Sequence, residues 1–198
     1  MKVSKQQAFE NREALLASAG MLFKERGIDG VGVADICARA GLTQGALYKH
    51  FADKQDLAAK AFAYTFRVGH DRTMGPKESR HYKAYLDNYL APVVRDDMTR
   101  GCPLVSTACE TGRQGPAMSR SFTDAFVEMR DGVSAALPAG TVVGDRDALA
   151  TTIVAALVGA MAISRGVLKA DQTLADEVLS QVRATLSALG TEQGHIGQ

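Results

Sequence analysis

The chain of 198 residues has no Trp, five Pro and three Cys, and aromatic residues make up 6% of it. Each shortage excludes something. Proline breaks helix interiors, so its scarcity leaves room for long helices. The apolar residues are mostly Ala, Leu and Val without a strongly alternating pattern, which argues against strands and for an all-α protein. Three cysteines are too few, and odd in number, for a disulfide scaffold. The first twenty residues open with charged and amide side chains rather than a short apolar run, so no secretory signal is read. No stretch approaches ~18 uninterrupted apolar residues, so no membrane span is expected and the reducing cytoplasm is the expected compartment. Neither sign of charge dominates, the formal net charge being +1.

What is present is ample material for a core, with 46% hydrophobic residues in a length that suits one large domain or a small domain joined to a larger one. Residues 1–72 hold eleven Lys and Arg against eight Asp and Glu, a mild basic bias in a near-neutral chain. Leu15, Ala19, Leu22 and Phe23 repeat at the spacing of one buried helical stripe, predicting a first helix over 6–26 that stops at Gly27. A second is predicted over 33–40, with Asp35 complementing its N-terminus and Ile36 and Ala40 facing inward. Gly41 supplies a turn, Thr43 caps a third helix over 44–50, and Asp53 caps a fourth running to about residue 72. Leu47 and Phe51 lock the third helix onto the first two, and Leu57, Ala61 and Phe62 form the inner face of the fourth. The Met74-Gly75-Pro76 break is read as a boundary between regions. Further helices are expected at 78–95, 103–113, 116–136, 146–169 and 172–189, with Asp145 and Asp171 as N-caps and a break at Leu137-Pro138-Ala139-Gly140. The tail from Gly190 lacks periodicity.

Two short helices joined by a glycine turn, then a capped third, follow the pattern of a helix-turn-helix. The residues after the turn suit a DNA backbone and groove. Gln44 can contact adenine in bidentate fashion, and Ala46 can touch a thymine methyl. Gly45 and Ala46 keep the helix slim. Thr43, Tyr48, Lys49 and His50 are donors for phosphate oxygens, and Lys54 sits in the first turn of a helix whose N-terminus favours an anion. Taken singly, Thr43 is only a cap, Tyr48 and His50 pack locally, and the lysines are solvated. Taken together at this spacing, they read as a double-stranded DNA-binding surface.

The segment AGLTQGALYKHFADKQDL resembles the recognition segment of the tetracycline-repressor-like (TetR) transcriptional regulators, whose usual form is AG-[VLI]-[ST]-x-G-x-[LIF]-Y-x-[HY]-F-x-x-K-x-x-L. Gly41, Thr43, Gly45, Leu47, Tyr48, His50, Phe51, Lys54 and Leu57 match that form. Gly32 stands where Ser or Thr is usual, and Cys37 where Ala is common. The resemblance covers about residues 10–60. It implies an all-helical protein with an N-terminal three-helix DNA-binding domain, placed at 1–54. A helical effector-binding and dimerisation domain follows at 55–190, with a disordered tail at 191–198. It also implies a homodimer on a palindromic operator, half-sites lying ~34 Å or a multiple apart, and release of the operator by a small-molecule effector whose class is not specified.

In the C-terminal region, Cys102 precedes Pro103 at an expected helix N-cap, with Arg100 nearby, a setting that favours thiolate. Cys109 lies two turns on, ~10 Å away, too far for a disulfide within an intact helix. The GC-x-L element here is similar to one in a branch of the family with cysteine sensors. The alternative is that both cysteines are small core hydrophobes, and Cys37 is read as structural. Phe122, Phe126 and Met129 make one apolar stripe. With Cys102, Leu104, Thr107, Met118, Tyr85, Tyr89 and Met161 they are candidates to line an effector pocket, Thr107 or Glu110 supplying polar contacts. Residues 148–167 are small, β-branched and nearly uncharged. With Leu174, Val178, Leu179, Val182 and Leu186 of the last helix, they are expected to form a four-helix dimer interface, the alternative being an intramolecular core.

The four histidines share no nucleophile-base motif with Cys102, and no phosphate loop, dinucleotide fingerprint or metal-ligand spacing is seen. No catalytic residue, cofactor, metal or membrane partner is expected.

Overall fold

The computed structural model describes residues 4–74, 81–99, 101–139, 141 and 145–189. Among these residues every regular element is a helix: α1 (Lys5–Arg26), α2 (Val33–Ala40), α3 (Gln44–Leu47), α4 (Lys54–Met74), α5 (Tyr82–Tyr89), α6 (Pro92–Asp96), α7 (Pro103–Thr111), α8 (Pro116–Ala136), α9 (Arg146–Val167) and α10 (Gln172–Leu189). The expected all-α class holds. Arg100, Gly75, Pro76, Gly140, residues 78–80 and the tail from Gly190 lie outside the described residues.

Side chains cap half of the ten described helices at their starts. The Ser4 hydroxyl accepts the Gln7 N–H at 3.0 Å, Asp145 accepts those of Asp147 and Ala148, and Asp171 accepts that of Leu174. Gly27 ends α1 at φ 75°, where a glycine has no steric penalty. The single helix expected over 78–95 is instead two, α5 and α6. Pro92 lacks an N–H and keeps Ala91 extended, at ψ 135°, so the chain turns there and Pro92 opens α6 as its first residue.

The chain forms two compact units that alternate in sequence: Met1–Gly69 with Gly101–Ala125, and His70–Arg100 with Phe126–Gln198. A boundary between residues 54 and 55 does not coincide with either, because α4 begins at Lys54 and continues without a break.

In the first unit Leu15, Leu22, Phe23, Ile36, Leu47, Phe51, Leu57 and Phe62 are buried together. Full burial stabilises by about 1.5–3 kcal/mol for each side chain of this size. Helices α1 and α4 approach so closely that a Cβ on Gly20 would run into Thr65 Cγ2. Helix α7 and the start of α8 complete the unit, and Phe122 stacks on Phe62 with ring centroids 5.9 Å apart.

The second unit is built on α9 and α10, with Ile153, Val154, Leu157, Met161, Ala175, Leu179 and Leu186 inside. Leu179 and Leu186, expected at a subunit interface, therefore serve this intramolecular core. The Tyr82 hydroxyl donates to the Leu186 carbonyl at 3.0 Å, and burial pushes its pKa up to about 12. Arg95, 2% exposed, donates to Asp96 at 2.7 Å and to Asp176 at 2.6 Å. The Asp96 hydrogen bond is the main influence raising the Arg95 pKa; burial opposes it, and Asp176 adds to it. Arg165 donates to the carbonyls of Val94 and Arg95, and Arg146 to those of Ser134, Leu137 and Pro138, closing helix ends whose carbonyls have no partner within the helix.

Uninterrupted apolar runs pointed to no bilayer-length helix, yet α9 is one by length and composition. Its Ala, Gly and Thr residues are uncharged and separate the larger apolar side chains without making the helix polar. Within this unit 39% of its most apolar stretch is buried, so a large share of the helix faces outward. Ile163 is 57% exposed, and Leu174 on α10 is 42% exposed.

Candidate nucleic-acid interface

The expected reading segment sits in the first unit on a rigid base. Gly41 takes the left-handed conformation, φ 67° and ψ 30°, and its N–H and that of Leu42 bond back to the Ala38 and Cys37 carbonyls. A Cβ at Gly41 would touch nothing within 4 Å, so backbone conformation rather than space calls for glycine. At the start of α2, Asp35 accepts the Gly32 N–H at 3.1 Å, which offsets the missing hydroxyl at that cap. Cys37 is buried, and burial pushes its thiol pKa up, in keeping with a structural role.

Thr43 caps α3, its hydroxyl accepting the Ala46 N–H at 3.2 Å. The third helix was expected to reach His50, but α3 ends at Leu47. Beyond it the Lys49 and His50 N–H groups bond three residues back, to Ala46 and Leu47, as a tightened final turn. The tightening brings Phe51, 2% exposed, under the segment beside fully buried Leu47. The Arg12 guanidinium and the Lys60 ammonium each lie 5.7 Å from the Phe51 ring centroid.

On this base Thr43, Gln44, Gly45, Tyr48 and Lys49 are exposed, while Ala46, His50 and Lys54 are half-buried. Tyr48, at 55% exposure, is an aromatic ring standing in solvent. A Cβ at Gly45 would meet only the Thr43 hydroxyl, at an ordinary contact distance of 3.9 Å. Neither Lys49 nor Lys54 has a carboxylate partner among the described residues, so both charges remain available. Nearby carboxylates are engaged: Asp53 accepts the Asp56 N–H at 2.8 Å, and Asp56 accepts the Ala52 N–H at 3.1 Å and pairs with Lys60 at 2.8 Å. The surface can therefore present hydrogen-bond donors and two uncompensated cations to a polyanion.

Asp56 and Arg12 are supporting residues that the motif did not single out. The cap, in which Asp53 accepts the Asp56 N–H and Asp56 accepts that of Ala52, was readable as two acidic residues three apart before an apolar run. Burial disfavours ionised Asp56, but the Lys60 hydrogen bond, the Ala52 amide and the Lys60 and Arg12 charges outweigh it and hold the carboxyl below its usual range. A depressed folded-state pKa stabilises fully above the ordinary carboxylate value of ~3.9, and that stabilisation is lost as pH falls through the lower folded value. Asp56→Ala is accordingly expected to cost about 1 kcal/mol near neutral pH. Thermal melts from pH 7 to pH 3 should show the gap from the unsubstituted protein closing in acid.

The expected effector-pocket residues are divided between the units. Cys102, Leu104, Thr107 and Phe122 belong to the first, and Phe126, Met129 and Met161 to the second. Leu104, Thr107, Met129 and Met161 are buried, and the other three are half-buried. Cys102 takes the expected N-cap position of α7 with Pro103 as first helical residue, and Cys109 is exposed. Thr107 spends its hydroxyl on the Pro103 carbonyl at 2.8 Å. It lines a cavity of about 10 Å³ in the first unit, together with Phe23, Ile28, Phe62 and Met118. That volume holds one water at most. Glu110 is bonded to the Ile28 amide rather than to any pocket. Among the described residues no cluster of His, Cys, Asp and Glu has the makings of a metal site.

Residues 9–61 match the family described as bacterial regulatory proteins, tetR family, and residues 80–176 match the transcriptional regulator LmrA/YxaF-like C-terminal domain. The HTH-type transcriptional repressor BepR of Brucella suis is 44% identical over 57 residues, covering 29% of this chain and 27% of that protein. The chain thus matches about a quarter of that relative's length. An uncharacterised HTH-type transcriptional regulator of Mycobacterium tuberculosis is 26% identical over 188 residues, covering 89% of this chain and 94% of its own. Among solved structures, a TetR transcriptional regulator from Chloroflexus aurantiacus superposes with a TM-score of 0.75 at 26% identity, covering 92% of this chain and 95% of that one.

Proposed function

The chain belongs to the tetR family of bacterial regulatory proteins, and from that membership we propose that it is a repressor that grips a palindromic operator as a homodimer and releases it when an effector acts. As a member it is a DNA-binding transcriptional regulator and not an enzyme. The observation that supports the finer reading is the exposed Tyr48, flanked by Lys49 and Lys54, on a base fixed by Leu47 and Phe51. Gln44 reads adenine and Ala46 meets a thymine methyl in the major groove, with Gly45 leaving the backbone room to approach. Thr43, Tyr48, Lys49, His50 and Lys54 hold phosphates and set the register.

Two copies pair through α9 and α10. Thr152, Ala155, Ala162, Ile163 and Gly166 recur along one exposed face of α9, and Leu174 is exposed on α10. Small residues let two helices approach closely, and water exclusion from an apolar face drives the pairing. A DNA-binding regulator of this bacterial family works in the cytoplasm, where the chromosome is. Selection of duplexes from a random-sequence pool by the full chain should return a two-fold symmetric consensus, and a pool without enrichment sinks the operator reading.

The effector is a small molecule or a thiol-reactive compound meeting Cys102 at the α7 N-cap, beside Leu104, Thr107 and Phe122 of the same unit. N-ethylmaleimide is expected to shift the selected duplex from bound to free at least about tenfold, as Cys102→Ser should not. Equal release from Cys102→Ser assigns the response to exposed Cys109, and no release from either leaves a non-covalent ligand as the effector.

A further inference from the structure

We propose that Glu110 is a positioning residue for DNA reading, acting through the Ile28 amide, and that α7 is therefore a working part of the reading head. Glu110 Oε2 accepts the Ile28 N–H at 3.1 Å, across 82 residues of sequence. Ile28 is 1% exposed, so without that carboxylate a buried donor would lose its acceptor. The approach depends on Gly27, whose φ of +75° favours glycine and where a Cβ would run into Glu110 Oε1. Two further bonds close the clamp. The Gln114 side chain donates to Asp29 Oδ1 at 3.2 Å and accepts from Gln55 Nε2 at 3.0 Å. The end of α7 thus holds both the loop that leads into α2 and the first turns of α4. Between those two points hangs α3, tied to α2 by the Gly41 turn and to α4 by Phe51. Ile28 and Val31, each 1% exposed, anchor the same loop to the core. With its first amide released, the loop has more than one way to leave α1, and the angle at which α2 presents α3 is no longer single. The cavity beside this clamp, about 10 Å³, leaves no slack to absorb the change.

The inference rests on the chain reading DNA, and its test uses the full chain with a duplex selected from a random pool by the unsubstituted protein. Glu110→Ala should weaken that duplex about tenfold, because only about a tenth of the heads would be correctly set at any moment. Binding to an unselected duplex and the salt slope should stay unchanged, since no phosphate contact is lost. Glu110→Gln keeps an acceptor for the Ile28 amide and should restore the affinity to within about threefold. A lowered melting temperature with unchanged specific affinity in Glu110→Ala would mean a structural staple and overturns the proposal. Equal losses in Glu110→Gln and Glu110→Ala overturn it as well, since charge rather than the amide bond would then matter. Should Glu110→Ala fail to fold, Gln114→Ala probes the exposed end of the clamp: a selective loss of specific affinity supports the proposal, and unchanged affinity overturns it. If the unsubstituted chain enriches no duplex, the operator reading fails and the inference falls with it.

Discussion

Ile163→Glu is expected to turn the protein into a monomer in sedimentation velocity and to weaken the selected operator by at least about a hundredfold. Ile163 is 57% exposed in the single subunit, so a carboxylate there touches no core and should leave the melting profile within about 0.5 kcal/mol. At a two-fold interface the same substitution places two charges near one another in an apolar seam, where unpaired charge is costly. The loss of DNA binding follows from geometry. One short helix reads only a few base pairs, and the second half-site is gained at high effective concentration when two heads are joined. Uncoupling them forfeits ~10²–10⁴ in affinity without touching a single DNA contact. A dimeric Ile163→Glu protein would move the interface away from the exposed face of α9.

The second large effect concerns the reading surface itself. Tyr48→Ala/Lys54→Ala should lower specific affinity at least about a thousandfold near 0.15 M salt while leaving the fold intact. Tyr48 stands in solvent and Lys54 has no carboxylate partner among the described residues, so neither supports the core that Leu47 and Phe51 make. Each hydroxyl-phosphate bond contributes about 1 kcal/mol and each lysine-phosphate contact about 1.5 kcal/mol. Doubled across a two-fold dimer, the loss reaches about 5 kcal/mol, or between roughly three and four decades. Two lost lysine contacts should also flatten the slope of log affinity against log salt by about 1.8. Titrations at several salt concentrations separate this from misfolding, which would not flatten the slope in that proportion. Unchanged affinity would remove these residues from the interface.

These two effects differ in how readily their residues could be found. The reading surface was legible because it is local. Thr43 caps α3 three residues ahead, Gly41 closes the turn behind it, and Leu47 and Phe51 sit one helical turn apart, so one window of sequence holds the motif and its support. The tightened end of α3 was not legible, since Lys49 and His50 are ordinary helix formers and the pull comes from burying Phe51. The α5–α6 break was marked by Pro92, but apolar periodicity through Tyr85, Leu86 and Tyr89 masked it. The small residues of α9 marked it as apolar on most sides without saying which side stays outward. The inward roles of Leu179 and Leu186 were not legible either, because an amphipathic stripe does not state which of two neighbours it meets.

The amino-acid sequence by itself determined the helical class, most of the helix starts, and the helix-turn-helix segment whose side chains are proposed to meet DNA. Those features depend on neighbours within a turn or two, where caps, glycine conformations and apolar spacing act. Only the tertiary structure decided that α7 belongs with the DNA-reading unit, that Glu110 serves the Ile28 amide, and that Arg95 is buried against Asp176. Each of those pairings joins residues about eighty positions apart, and no local propensity encodes which distant acceptor a buried amide or guanidinium will meet. Burial leaves such groups no water to turn to, so the folded chain itself must supply their partners.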